Sequence, residues 1–327
     1  MRTKSVIFSV TSACNYNCSW CDIPRAFKHE FVDLGLAKEL LHKLKKLGVI
    51  YVQITGGEPT LHPDLLDIVR FADKQGFVIQ LMTNGSLITL DYAEELRKSG
   101  VDIVSVSLDH YRAEPMDEWR GVKGAWQKAV SALRNLNQVG VMTSANTLIS
   151  PLNVEELEQV VSYVAEELST KFAACTPTAA ETESWSFKST EASEDLILSG
   201  VQKLLSIYDH RRFWDPVEYY QEVYRHYKGL KRRFPCFGGY VVFYTDWMGN
   251  LYPCFNKPKV ATIDEIDDIK PVERPCYDCV ASCFLLPSIF WRLMNSAKTA
   301  PKLLGSYFSL RLAKSIVGAY INGLRTR

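Results

Sequence analysis

The residues of this 327-residue chain with the clearest chemistry are its nine cysteines, and they fall into clusters. Cys14, Cys18 and Cys21 lie within eight residues near the start of the sequence. Five more cysteines lie between positions 236 and 283. An odd number of cysteines in tight clusters is a poor disulfide framework for a chain of this length. The two clusters therefore predict metal ligation in a reducing compartment.

The first cluster has the spacing C-x3-C-x2-C. Its three thiolates can surround one metal centre, whereas structural zinc and a [4Fe–4S] cluster each take four ligands. No residue next to the triplet supplies a fourth ligand. An iron–sulfur cluster would keep one iron open to a substrate or cofactor, and this interpretation is favoured. The alternative is a zinc knuckle that borrows a distant cysteine.

The second cluster consists of Cys236, Cys254, Cys276, Cys279 and Cys283. Its first two members flank a predicted hairpin with Gly249-Asn250 in the turn, and a C-x2-C pair follows. Four thiolates in this arrangement satisfy either zinc or an iron–sulfur cluster. Cys283 is one more than a four-ligand site needs, so it either replaces another ligand or stays free. Cys175 lies apart from both clusters and is interpreted as a core cysteine.

Polar and glycine-rich turns supply further candidate residues. The sequence Gly-Gly-Glu-Pro occupies positions 56–59, where glycine permits close backbone approach and Glu58 can pair with an ammonium group. Three other candidates follow or lie on predicted strands, namely Asn84, the Ser107-Leu-Asp109 turn, and Asn146. Each is ordinary turn chemistry when taken alone.

The elements that must position these residues alternate regularly over the first 175 positions. Predicted strands cover 5–11, 49–55, 77–83, 101–109, 141–149 and 170–175. Amphipathic stretches predict helices over 33–47, 64–76, 90–99, 123–138 and 153–167. Such alternation predicts an α/β fold with a parallel sheet, and six units make an open, partial (β/α)6 TIM-like barrel. The cysteine triplet and the polar turns then meet at the carboxyl ends of the strands.

Four segments follow from this pattern: a barrel over 1–184, a helical linker over 185–233, a small C-terminal metal-cluster subdomain over 234–284, and a helical tail over 285–327. The tail is basic and amphipathic and contains no acidic residue. It fits a helix lying in a membrane interface. The alternative is a helix docked on the barrel with its basic face in water.

The composition of the chain limits the expected cellular location of the protein and the kinds of partner that it can bind. Hydrophobic residues make up 47% of the chain, which excludes disorder as the main state, and the net charge of +1 gives no global attraction to nucleic acid. The first residues do not have the pattern of a signal peptide, and no uncharged run is long enough to span a bilayer. We therefore expect a cytoplasmic protein, with peripheral membrane contact if the tail lies in an interface.

The triplet with Trp20 before its third cysteine, followed by the Gly-Gly-Glu-Pro turn, resembles the radical S-adenosylmethionine (SAM) superfamily over residues 5 to about 180. The resemblance implies a [4Fe–4S] cluster on Cys14, Cys18 and Cys21, whose open iron chelates SAM. It also implies reductive cleavage of SAM to a 5′-deoxyadenosyl radical that removes a hydrogen atom from the substrate. The cofactor contacts it implies are Trp20, Gly56, Gly57, Glu58, Asn84, Ser107, Asp109 and Asn146.

The second cysteine cluster is similar to the SPASM domain and to its shortened form, the twitch domain. This resemblance implies an auxiliary [4Fe–4S] cluster. A full SPASM domain needs about seven cysteines for two clusters, so five cysteines fit the single-cluster form better. A structural zinc ion is the alternative.

The predicted function is hydrogen-atom abstraction from an unactivated carbon of a lipid-linked or small-molecule substrate, with ferredoxin or flavodoxin as electron donor. Alternatives are a two-electron dehydrogenase of a sugar or aminocyclitol alcohol, a peptide-modifying maturase, and a zinc-binding interaction protein without enzymatic activity. Candidate catalytic residues are Glu181, Glu183 and Arg120. A solvated loop carboxylate is the alternative for each of the two glutamates.

Overall fold

The computed structural model describes residues 3–178, 180–182, 185–187, 192–269 and 274–295, and an eight-stranded sheet dominates this part of the chain. The strands are β1 (Ser5–Ser9), β2 (Tyr51–Thr55), β3 (Val78–Thr83), β4 (Ile103–Ser107), β5 (Met142–Leu148), β6 (Lys171–Cys175), β7 (Ala180–Thr182), β8 (Trp185–Phe187), β9 (Val242–Thr245) and β10 (Leu251–Tyr252). The α-helices are α1 (Ile23–Ala26), α2 (Leu34–Lys46), α3 (Leu65–Lys74), α4 (Leu90–Ser99), α5 (Ala113–Arg120), α6 (Ala125–Gln138), α7 (Leu157–Ser162), α8 (Glu194–Ser206), α9 (Val217–Tyr227) and α10 (Ser282–Met294).

Strands β1 to β6 are neighbours in chain order, and each pairs with the next in parallel. The predicted α/β fold with a parallel sheet is therefore confirmed, and each of the six predicted strands is present. The helices between them follow the predicted amphipathic stretches. Helix α4, for example, begins where the Thr89 side chain accepts a hydrogen bond from Tyr92 N and ends at Gly100 in the left-handed conformation.

The inner face of the sheet is polar and surrounds a cavity. The Gln80 side chain donates to Ser105 Oγ at 2.6 Å, and Ser105 bonds to Ser144 Oγ at 2.6 Å, which links β3, β4 and β5. Alternate residues such as Leu81 of β3 and Val104 and Val106 of β4 are buried and apolar and face the helices. The sheet curves around a space of about 1030 Å³, here called the barrel cavity, to which strands β1 to β6 all contribute residues.

The hairpin predicted within 234–284 is present as β9 and β10, but it does not form a sheet of its own. Strand β9 pairs in parallel with β1, in the register Ser5 with Val242, and so extends the barrel sheet. All four β9 residues are buried, because the strand is covered on both faces. The predicted segment 234–284 is therefore continuous with the barrel over this stretch.

Strands β7 and β8 form a short antiparallel pair that the sequence did not predict. The predicted boundary between 184 and 185 falls at the start of β8. Strand β8 lies against the first cysteine loop, where Ser186 O accepts a hydrogen bond from Asp22 N at 3.2 Å. Residues 185–187 thus pack against the barrel. The helices of the predicted linker are α8 and α9.

Helix α10 runs along the open side of the barrel. Its Cys283 lies near Cys175 at the carboxyl end of β6, and its Trp291 indole donates to Ser5 Oγ at the start of β1, at 2.8 Å. Leu285 and Ile289 are fully buried. The predicted boundary at 284 falls inside this helix, so the predicted tail begins in the protein core.

The rest of the predicted tail, residues 296–327, lies outside the described residues. Among the helices that the structure describes, none is both long enough and apolar enough to cross a membrane.

Candidate active site

The first three cysteines lie around one pocket at the carboxyl ends of the strands. Cys14, Cys18 and Cys21 occupy the loop after β1 and line a space of about 1280 Å³, here called the cysteine pocket. The ends of β2, β3, β4 and β5 contribute polar residues to its wall.

The Gly-Gly-Glu-Pro turn holds the cysteine loop in place. Gly57 N donates to Thr11 O at 2.8 Å, and Glu58 N donates to Ala13 O at 2.7 Å. A Cβ atom on Gly57 would lie 2.2 Å from Ala13 O, and one on Gly56 would lie 2.3 Å from Thr11 O. The close approach that both glycines permit is therefore to the protein's own backbone, directly before Cys14.

We expect Gly57→Ala to displace the cysteine loop and to lower iron incorporation several-fold, because the added methyl group meets backbone that cannot rotate away. Gly140→Ala is the matched control, since no atom lies within 4 Å of its Cβ position and it precedes the start of β5, away from the carboxyl ends of the strands. Its left-handed backbone costs about 1–2 kcal/mol. The measurement is iron per chain after anaerobic reconstitution. Wild-type iron content in Gly57→Ala would contradict this account of the loop.

The Glu58 side chain links the turn after β2 to the end of β3 in the wall of the pocket. It is fully buried, and its carboxylate accepts hydrogen bonds from Thr60 Oγ1 at 2.6 Å, Thr83 Oγ1 at 2.7 Å and Asn84 N at 2.7 Å. Burial raises the pKa of Glu58 above its ordinary value, although these hydrogen bonds act in the opposite direction. A cation bound in the pocket would favour the ionised form.

The chemistry of the three thiols fits an iron–sulfur cluster. Burial raises the pKa of Cys14 to about 12 and that of Cys21 to about 11, so binding a metal must displace their protons. Among the described residues, no three His, Cys, Asp or Glu side chains converge closely enough to share a single metal ion. A [4Fe–4S] cluster takes four ligands, so three thiolates would leave one iron open to a bound molecule.

Tyr16 and Trp119 provide a second sign that a polar ligand belongs here. The Tyr16 hydroxyl and the Trp119 indole nitrogen are buried without a hydrogen-bond partner among the described residues. Tyr16 lines the cysteine pocket. Buried polar groups are nearly always paired, so an unpaired donor in a pocket wall is available to a bound group. Tyr16 was not among the predicted cofactor contacts, although its position between Cys14 and Cys18 could have indicated one.

Arg120 and Trp20 form one wall of the cysteine pocket. The Trp20 ring stacks on Trp119 with centroids 4.3 Å apart, and the Arg120 guanidinium lies 5.1 Å from the Trp20 centroid. Arg120 also approaches Cys18 Sγ at 4.0 Å. Asp109 does not line the pocket, because its buried carboxylate pairs with Arg120 at 2.5 Å and accepts a hydrogen bond from Leu148 N. The structure therefore gives Asp109 the position of a support for Arg120.

Asn84, Ser107 and Asn146 all line the pocket, with different freedom to bind a ligand. The Asn84 amide is engaged on both sides, donating to Asn15 Oδ1 at 2.9 Å and accepting from Ser86 N at 2.8 Å. The Ser107 hydroxyl and the Asn146 amide nitrogen have no hydrogen-bond partner among the described residues. These two side chains therefore keep hydrogen-bonding capacity for a bound molecule.

Two of the predicted catalytic candidates cannot be located. The backbone of Glu181 lies in β7, but its side chain is outside what the structure describes, and Glu183 lies outside the described residues.

The second cysteine cluster separates into a group of four and a single residue. Cys236 and Cys276 exchange backbone hydrogen bonds of 2.8 and 2.9 Å. Burial, and then the neighbouring thiols of Cys279, Cys276 and Cys254, raise the pKa of Cys236 to about 12. The buried Arg232 donates to Cys279 O at 2.7 Å and so fixes the loop between Cys276 and Cys279.

Cys283 lies elsewhere, in the walls of both the cysteine pocket and the barrel cavity. Its titratable neighbour is Cys175, whose pKa is raised to about 12 by burial and then by Cys283. The structure therefore places Cys283 beside Cys175 and apart from the other four cysteines of the second cluster.

The chain is similar to known proteins in sequence and in structure. The profile described as "Radical SAM superfamily" matches residues 8–164. The "AdoMet-dependent heme synthase" of Methanosarcina barkeri (strain Fusaro / DSM 804) is 31% identical over 168 residues, which is 50% of this chain and 47% of that protein. The chain thus spans about half of that relative's length.

A "GTP 3′,8-cyclase" from Peptoclostridium acidaminophilum is 31% identical over 229 residues, which is 67% of this chain and 69% of that protein. The crystal structure of Streptococcus suis SuiB bound to S-adenosylmethionine superposes with a TM-score of 0.65 at 17% identity, covering 95% of this chain and 77% of that one. At this identity the structural likeness concerns the fold alone.

Proposed function

The chain belongs to the radical SAM superfamily, and from this premise we propose that it cleaves SAM reductively and removes a hydrogen atom from an unactivated carbon of a small-molecule or lipid-linked substrate. Enzymes of this superfamily use a [4Fe–4S] cluster together with SAM. When bound, the two supply the 5′-deoxyadenosyl radical. A protein that only binds zinc would leave the cavity and the polar strand ends without a role.

In this proposal the chain's own residues hold and orient the cofactors. Cys14, Cys18 and Cys21 provide the thiolates, and Arg120 places a positive charge beside Cys18. Tyr16, together with the unpaired groups on the ends of β4 and β5, offers hydrogen bonds to SAM. The stack of Trp20 on Trp119 gives an apolar wall for the adenine.

One observation supports the proposal: the cysteine pocket and the barrel cavity adjoin. Gln53, Met82, Asn146, Cys175 and Cys283 line both spaces. A substrate in the barrel cavity would therefore lie next to SAM, as hydrogen-atom transfer requires. Anaerobic incubation with SAM and a reductant tests this, since 5′-deoxyadenosine accumulates only if SAM is cleaved.

We also propose an auxiliary [4Fe–4S] cluster on Cys236, Cys254, Cys276 and Cys279. The mutual effect of these thiols on the pKa of Cys236 and the backbone pairing of Cys236 with Cys276 support a common site. Cys283 is not included, because it lies beside Cys175 in the barrel. Such a cluster could accept the electron that a substrate radical loses on oxidation. Ferredoxin or flavodoxin stays the predicted electron donor to the enzyme.

The proposed membrane contact rests on residues 296–327, which contain six basic and no acidic residues. Each basic residue near an anionic surface contributes about 1 kcal/mol of binding. We expect the full chain to co-sediment with anionic vesicles more than with neutral ones, and a chain ending at Asn295 to lose that binding. The cut must follow α10, because an end at Phe284 would remove buried core residues. Equal vesicle binding by both chains would contradict this proposal.

A further inference from the structure

Asp215 is a buried carboxyl group in the wall of the barrel cavity. It lies between α8 and α9 and is only 2% exposed. Its Oδ2 atom accepts hydrogen bonds from Ala174 N at 2.9 Å and from the Tyr220 hydroxyl at 2.8 Å. Its Oδ1 atom has no hydrogen-bond partner among the described residues. One carboxylate oxygen is thus fixed by the protein, and the other is available to a molecule in the cavity.

No positive charge compensates this carboxylate within the described wall of the cavity. Its other polar members are serine, glutamine, asparagine, tyrosine and cysteine side chains. The titratable groups that face Asp215 are Tyr220 and Tyr219 on α9, Cys175 on β6, and Tyr208, whose hydroxyl donates to Asp215 O at 3.1 Å. None of these groups can carry a positive charge. Burial raises the pKa of Asp215 to about 7. An ionised carboxylate here lacks a counter-ion, which is costly in a buried site.

The wall of the cavity that does not belong to the sheet is largely apolar. Trp214 lies next to Asp215, and α10 contributes Leu286, Phe290 and Trp291. An anionic substrate such as a phosphate or carboxylate would meet Asp215 with no lysine, arginine or histidine in the described wall to hold it. A ligand with a cationic group on an apolar body would pair its charge with Asp215 Oδ1 and pack its apolar part against this wall.

We propose that the barrel cavity selects a substrate that carries an amine on an apolar body, with the ammonium group donating a hydrogen bond to Asp215 Oδ1. The identification of the cavity as the substrate site rests on the proposed function. The contact between amine and carboxylate does not require SAM or iron, so it can be measured separately.

The test uses hexylamine, hexanol and hexanoate as probes, with binding to the full chain measured by calorimetry. We expect hexylamine to bind roughly tenfold more tightly than hexanol, and hexanoate to bind more weakly than both. Asp215→Asn should reduce hexylamine affinity to that of hexanol, because a neutral amide replaces the carboxylate. Asp209→Asn is the matched control, since Asp209 is outside the described cavity wall and pairs with Arg211 at 2.7 Å.

The pH dependence of the wild-type protein provides a test that needs no variant. Hexylamine stays protonated up to about pH 10, like lysine, so the titration between pH 5 and pH 9 reports the protein. Affinity should rise with pH through a midpoint near the Asp215 pKa of about 7, since only the ionised carboxylate forms the ion pair. Equal affinity for hexylamine and hexanoate, or wild-type hexylamine affinity in Asp215→Asn, would overturn the inference.

The outcomes also separate this inference from the proposed function. If SAM is cleaved but hexylamine shows no preference, the amine assignment is wrong and the proposed function stands. If hexylamine binds as expected but SAM is not cleaved, the proposed function fails while the amine site stands.

Discussion

Replacing Cys14, Cys18 or Cys21 with serine is expected to remove one cluster, about four irons per chain, and to abolish SAM cleavage. The three thiols line one pocket, and no other cysteine of the described chain except Cys175 and Cys283 reaches it. With two thiols left, the cluster would lose a ligand while its surroundings stay polar and open. Iron and sulfide analysis after anaerobic reconstitution gives the first readout, and 5′-deoxyadenosine production gives the second.

Cys175→Ser is the control for this series. Its thiol lies in the same pocket and donates to Asn146 Oδ1 at 3.3 Å, but it is outside the triplet loop. We expect this variant to keep its full iron content. A triplet variant that keeps both iron and SAM cleavage would show that the cluster lies elsewhere.

Replacing Cys254 and Cys279 together with serine is expected to halve the iron content, from about eight to about four irons per chain. The two residues belong to the group of four around Cys236, whereas the triplet lies in a different loop. SAM cleavage should therefore continue, but substrate turnover should fall to background because the electron from the substrate radical has no acceptor. Metal analysis and 5′-deoxyadenosine production measured on the same samples separate the two sites.

Cys283→Ser is the matched control, because the structure places Cys283 beside Cys175 and away from the group of four. It should retain the full iron content. Loss of zinc rather than iron from the double variant would identify the site as structural zinc. Iron loss in Cys283→Ser equal to that of the double variant would return Cys283 to the ligand set.

The sequence predicted the elements that repeat locally. The alternation of β-branched runs and amphipathic stretches was enough to identify β1 to β6 in order, since each unit carries its own hydrophobic period. The cysteine triplet and the polar strand ends could be assigned to one edge of the sheet, because parallel strands bring their carboxyl ends together.

Features that depend on contacts distant in sequence could not be predicted. Nothing in residues 242–245 specifies that β9 pairs in parallel with β1 rather than forming a separate sheet. The hydrogen bond from Trp291 to Ser5 joins residues 286 positions apart in the sequence. The basic composition of the predicted tail therefore gave no indication that its first residues belong to a core helix. Strands β7 and β8 have three residues each, too few to give a periodic signal.

The same limit applies inside the site. Glu58 was expected to face a ligand, and only the fold shows that its carboxylate also binds the turn and the end of β3. Asp215 follows a Phe-Trp pair in no recognisable motif, and its importance comes from burial in the cavity wall. Cys283 was grouped with the other cysteines of the second cluster because sequence spacing does not show where α10 places this residue.

The most direct test of the central claim is the formation of 5′-deoxyadenosine by the wild-type protein. Anaerobically reconstituted protein is incubated with SAM, with and without dithionite, and the nucleoside is quantified by liquid chromatography with mass spectrometry. The proposed function predicts 5′-deoxyadenosine that requires dithionite and disappears in Cys18→Ser. Absence of 5′-deoxyadenosine from protein that carries its full iron and binds SAM would contradict it.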